Sequence, residues 1–153
     1  MLKISRLSDY AIVAMTPLAQ LPGKRMSAKT LAEITHLKLP VVSKVLKQLA
    51  KAGLLKSELG PAGGYLLARP AHQITVAEMI AAVEGQMALT ECGQGEAVCE
   101  HDHVCSLKGH WRMINQLVTN VLTQVTLQDL IHVPDKPIHF YANKLAVGKV
   151  HEC

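Results

Sequence analysis

Aromatic residues are scarce in this chain of 153 residues: one Trp, three Tyr and one Phe. Proteins that hold single-stranded nucleic acid stack its bases on such rings, so that mode of binding is disfavoured. No apolar run approaches the ~20 residues that a membrane-spanning helix needs. The first twenty residues are periodic, carry Lys3, Arg6 and Asp9, and lack the unbroken apolar stretch of a secretory signal. Cysteine is sparse too. Cys153 is terminal, and the other three fall within fourteen residues. An odd cluster without a secretory signal fits a disulfide framework poorly, and a cytoplasmic chain with reduced thiols is expected. Acidic residues are few in the first half. Residues 1–70 hold 11 Lys+Arg against 3 Asp+Glu, net +8; residues 71–153 hold 5 against 9, net −4. A basic half joined to an acidic half points to a polyanion, and duplex DNA is the expected partner.

What is present is periodic. Ile4, Leu7, Ala11, Met15 and Leu18 recur at mostly three- and four-residue steps and predict a helix over 4–20, with Pro17 bending or ending it. Ser27 is the N-cap of a second helix, Ala28–Thr35, with Leu31 and Ile34 inward. After a short turn, Pro40 opens a third helix that Gly53 ends. Its inner face is Val42, Val45, Leu46 and Leu49; its outer stripe is Ser43, Lys44, Lys47, Gln48 and Lys51. Two helices, a tight turn and a polar-basic second helix make a helix-turn-helix candidate, with lysines on phosphates and Ser43 or Gln48 at base edges. Lys29, in the first turn of the second helix, joins the candidate DNA contacts. Residues 54–59 and 65–69 form a hairpin across Gly60-Pro61-Ala62-Gly63-Gly64, a wing whose Gly60, Gly63 and Gly64 let its tip approach DNA. Thr75-Val76-Ala77-Glu78 is a capping box opening a further helix that Gly85 closes.

Between that helix and the next lies Cys92-Gly93-Gln94-Gly95-Glu96-Ala97-Val98-Cys99, followed by Glu100-His101-Asp102-His103-Val104-Cys105. Six residues separate the first two cysteines and five the second two. No helical or strand period runs through this stretch, so it reads as a loop that converges three soft thiolates on an iron–sulfur, zinc or cuprous centre. Two cysteines at the short zinc-finger spacing are absent. Three thiolates leave a tetrahedral site one ligand short, and His101, His103, His110 or a residue elsewhere completes it. The rival classes are a structural zinc-bound winged module and a thiol enzyme with Cys105 as nucleophile and His103 or His110 as base. No cleft or oxyanion site in the sequence supports the enzyme. Trp111, Ile114, Leu117, Val118, Val121, Leu122 and Val125 then mark the longest periodic run, a helix with little core of its own to cover. A homodimer seam is its economical use. Thr126–Ile131 is a short helical turn.

The order of helix-turn-helix, glycine-rich wing, capping box, three cysteines and a long helix opening at Trp111 resembles the IscR/NsrR/RirA-type family of bacterial iron–sulfur transcription regulators, over residues 1 to about 132. Ala88-Leu89-Thr90-Glu91-Cys92 and Trp111-Arg112-Met113-Ile114-Asn115-Gln116 look most like the regulators of Suf iron–sulfur assembly genes. The resemblance implies a mainly α fold with a small β wing: a winged helix-turn-helix over 1–70, then a capping helix, cluster loop and C-terminal dimerisation helix over 71–132. Residues 133–153 show no usable pattern and are expected to form a flexible tail. It implies a homodimeric repressor on a palindromic operator, not an enzyme, with a 2Fe–2S or 4Fe–4S cluster on Cys92, Cys99 and Cys105. Nitric-oxide- or iron-responsive repressors are the alternative within the family. One family type uses a histidine three residues after the last cysteine, where this chain has Lys108. Another uses an aspartate in the first turns of helix 1, contributed by the partner subunit; Asp9 stands there. Many members have an arginine before the wing Gly-Pro, and here the residue is Leu59.

Overall fold

The computed structural model describes residues 4–60, 63–85 and 107–132. Helix α1 spans Arg6–Gln20, and the Ser5 side chain accepts from the Ser8 N–H to cap it. Pro17 lies inside the helix and neither stops it nor ends it early. A proline at this position cannot donate to the carbonyl four residues back, that of Val13. The Thr16 hydroxyl donates to the Val13 carbonyl instead, at 2.9 Å. Helix α2, Ala28–Thr35, is capped by Ser27 and closed by His36 in the left-handed conformation (φ 55°). Its inward residues are Leu31 and Ala32. Ile34, expected inside, is 50% exposed, because Leu31 and Ala32 set the buried face of so short a helix.

Helix α3, Leu39–Lys51, begins one residue before Pro40 and has no side-chain cap. Val42, Val45, Leu46 and Leu49 are fully buried, as the period requires. Gly53 (φ 76°) turns the chain out of the helix, and Leu54 N–H donates to the Leu49 carbonyl at 3.0 Å. Strands β1, Leu55–Glu58, and β2, Gly64–Leu67, pair antiparallel with Leu55 opposite Leu67 and Glu58 opposite Gly64. Met26 and Tyr65 exchange both backbone hydrogen bonds, adding a one-residue third strand.

After a single 3₁₀ turn at Ala71–Gln73, α4 runs Val76–Glu84 behind the Thr75–Glu78 capping box, which forms in full. Helix α5 spans Lys108–Gln124, and α6, Leu127–Ile131, opens on a second capping box, Thr126 with Asp129. Val76 N–H donates to the Val125 carbonyl (2.9 Å) and Leu127 N–H to the Ile74 carbonyl (2.8 Å), so the end of α5 is stitched to the start of α4. The core is one cluster built from Ala11, Met15 and Leu18 of α1, the inner face of α3, Met79 and Ile80 of α4, and Leu127 of α6. A division after Pro70 therefore cuts through shared core: α4 and α6 complete the winged unit. No helix of the described residues is long and apolar enough to cross a membrane.

Candidate nucleic-acid interface and cluster segment

The buried face of α3 fixes its opposite face outward. Lys44, Lys47 and Lys51 are exposed there, with Ser43 half-buried beside them; Lys29 is exposed on α2. Helix α2, the turn at His36 and α3 together make the helix-turn-helix. Gln48 departs from the expected stripe. It is half-buried, its Nε2 donates to the Val83 carbonyl of α4 at 3.4 Å, and its Oε1 is buried with no hydrogen-bond partner among the described residues. Its place at the edge of the stripe, next to the inner face, lets α4 claim it.

In the wing, Gly60 (φ 109°) is exposed at the turn, and Gly63 N–H donates to the Gly60 carbonyl at 2.9 Å. Gly64 has a steric role of its own. A Cβ there would meet the Met26 carbonyl oxygen at 2.7 Å, so glycine is what lets β2 close on Met26. Leu59, where an arginine is usual among the resembled regulators, is fully exposed. Arg25 and Glu58 pair at 2.7 Å and tie the base of the wing to the approach of α2.

Cys92, Cys99, Cys105, His101 and His103 lie outside the described residues, as do Pro61, Ala62 and the tail 133–153 with Cys153. Among the described residues no group of three or more His, Cys, Asp or Glu could hold a metal ion. Asp9 is exposed in the first turns of α1, and His110 is exposed near the start of α5. The residue before Asp9 carries a signal that sequence reasoning missed. Ser8 is fully buried, and its hydroxyl donates to Glu84 Oε1, which also accepts from the Ser5 N–H at 3.3 Å. The Ser8 hydrogen bond, opposed by desolvation and helped by Ser5, holds the Glu84 carboxyl below its usual range. Glu84 is the last residue of α4. The turn bearing Asp9 is therefore anchored at the root of the segment that carries the three cysteines. A polar serine at a helix N-cap plus three, opposite a helix-ending glutamate, leaves no one-dimensional pattern that would announce it.

Residues 4–133 match the family model described as "Rrf2: Iron-dependent Transcriptional regulator". The HTH-type transcriptional regulator IscR of Xenorhabdus nematophila is 32% identical over 133 residues, covering 85% of this chain and 79% of that protein. Two solved structures are similar. CymR, the global cysteine regulator of B. subtilis, is 32% identical with a TM-score of 0.67, over 86% of this chain and 97% of CymR. IscR of T. potens is 32% identical with a TM-score of 0.64, over 85% and 86%. These relatives are transcriptional regulators, not enzymes, and the fold and helix-turn-helix described above are those of a DNA-binding regulator. The chain belongs to the Rrf2 family of transcriptional regulators.

Proposed function

We propose that this regulator is a homodimeric, iron–sulfur-sensing repressor of iron–sulfur assembly genes of the Suf type. One observation carries the reading. The Asp9 turn of α1 is held by Ser8 and Glu84 against the end of α4, from which the chain runs directly into the segment bearing Cys92, Cys99 and Cys105; the contact fixes where each subunit presents Asp9 to the cysteine segment of its partner. The donor set fits the group: three soft thiolates match iron–sulfur chemistry, and one hard carboxylate completes four ligands. Helix α5 starts three residues after Cys105 with no acidic residue in its first turn, which leaves its positive end for an anionic, thiolate-ligated centre. When bound, the cluster supplies a ligand-exchange and redox-sensitive centre. The protein's own part is to connect that centre to α3. Glu84 and Val83 end α4; Glu84 contacts α1 and Val83 accepts from Gln48 of α3. A change at the cysteine segment alters DNA affinity only to the extent that these contacts differ between the loaded and unloaded states.

Anaerobic reconstitution tests this. Replacing Cys92, Cys99 or Cys105 by Ala should abolish the visible absorption and the bound iron and sulfide. Asp9→Ala should retain a cluster that decays faster in air, with altered DNA affinity, because the oxygen ligand is the weakest of the four. His101→Ala, His103→Ala and His110→Ala should behave as the unaltered protein. Loss of the cluster from a histidine variant, with Asp9→Ala unchanged, overturns the aspartate assignment and gives the fourth ligand to that histidine.

A further inference from the structure

The outward row of the recognition helix changes character along its length. Leu39, Ser43 and Lys47 follow one another at four-residue steps, with Pro40, Lys44 and Lys51 alongside. The C-terminal part of this row is cationic. Its N-terminal end is apolar: Leu39 is 44% exposed and Pro40 is exposed, on a helix whose inner face is already filled by Val42, Val45, Leu46 and Leu49. Packing does not explain an exposed leucine there. The N-terminal end of a recognition helix is the part that meets base edges in the major groove. Polar readers are scarce along the row: at that end Ser43 is half-buried, and further along Gln48 is drawn to Val83. Exposed lysines on both sides, Lys38 before and Lys44, Lys47 and Lys51 after, complement the phosphates that border the groove. The major-groove edge of the base pairs presents one apolar group, the C5-methyl of thymine.

We infer that Leu39, with Pro40 beside it, is a specificity-determining contact that reads thymine methyl groups in the operator. The inference rests on the DNA-binding role of α3 and deepens it: each half-site contains thymine at the position that faces the start of α3. Burying one methyl-sized group is worth about 0.8 kcal/mol, which is about fourfold in affinity.

The test uses the full chain, anaerobically loaded and cluster-free in parallel, to select binding sites from a random duplex pool. Each enriched thymine is then replaced singly by deoxyuracil, which lacks only the methyl group. At one thymine per half-site the exchange should weaken binding about fourfold. Leu39→Ala should bind the thymine and deoxyuracil duplexes equally, with little change in melting temperature because the side chain lies outside the buried core. Lys47→Ala should bind both more weakly yet keep the fourfold ratio. Indifference of the unaltered protein to every deoxyuracil, or a full methyl effect retained in Leu39→Ala, overturns the inference and leaves the regulator reading intact. A chain that selects no duplex sequence in either form overturns both.

Discussion

At the scale of single residues, the instructive contacts are made by side chains whose partners lie far along the sequence. Ser8 and Glu84 are 76 positions apart, yet Ser8 is buried and depends on that carboxylate. Replacing Glu84 by Ala leaves the buried Ser8 hydroxyl with only the Ser5 hydroxyl, at 3.5 Å, a loss of up to about 1–3 kcal/mol. For a chain of this size that lowers the melting temperature by roughly 2–4 °C per kcal/mol. Glu84→Gln keeps an acceptor and should lose less. Because the folded-state carboxyl sits below its usual value of 4.5, its contribution is present above that pH and fades as pH falls through the folded value. The stability gap between the unaltered protein and Glu84→Gln should therefore be constant near neutrality and close on acidification below about pH 4.5. A gap that persists unchanged to low pH would show that the carboxylate charge contributes nothing. Glu78 behaves similarly: desolvation raises its pKa, but the Thr75 backbone and the Arg69 guanidinium outweigh it and hold it low. Gln48 illustrates the limit of reading residues in sequence. Helical spacing puts it at the margin between a wet stripe and a dry face, and only the position of α4, fixed by Met79 and Ile80 in the core, decides that it turns inward.

At the scale of elements, the outward lysines of α3 carry the next prediction. Lys44→Ala or Lys47→Ala should weaken binding to all duplexes, and each should reduce the slope of log affinity against log salt by about one unit if that lysine neutralises a phosphate. An unchanged slope removes the residue from the phosphate contacts. These elements were legible because local chemistry and tertiary burial agree. Ser27 and Thr75 cap helices where sequence places them, Gly53 ends α3, and the inner face of α3 follows its period without exception. The departures have local causes. Pro17 is tolerated within α1 because Thr16 satisfies the orphaned Val13 carbonyl. Ile34 faces out because α2 is two turns long and Leu31 with Ala32 suffices to seat it. Gly64, which sequence reads as part of the DNA-approaching wing tip, is required by the approach of Met26, a contact that no local pattern encodes.

At the scale of the whole molecule, the winged unit is closed on itself while α5 is not. One core runs from α1 through α3 and α4 to Leu127 of α6, and both backbone bonds between Ile74–Val76 and Val125–Leu127 pin the C-terminal end of α5 to it. Along the rest of α5 none of the described side chains is buried. Trp111 and Ile114 are 37% exposed, Val121 is 41% exposed, and Leu117 and Val118 are half-buried. Ile114, Leu117, Val118 and Val121 follow three- and four-residue steps, so these apolar residues form a continuous stripe. On the proposed reading of a dimer on a palindromic operator, pairing with its twin across a two-fold axis would bury this stripe twice over and fix the spacing of the two recognition helices. Val121→Lys is the informative substitution. The residue is 41% exposed and outside the buried core, so the melting temperature of the winged unit should move little, whereas the seam loses a valine on each side and gains two facing charges. Burial of each valine is worth up to about 1.5–3 kcal/mol, and the two-fold repeat doubles the loss, so the dissociation constant should rise by up to about two to four orders of magnitude. Sedimentation at micromolar concentration should then find a folded monomer, and binding to a full palindrome should fall toward that of a half-site. A Val121→Lys chain that remains a dimer of unaltered strength moves the seam off this face of α5.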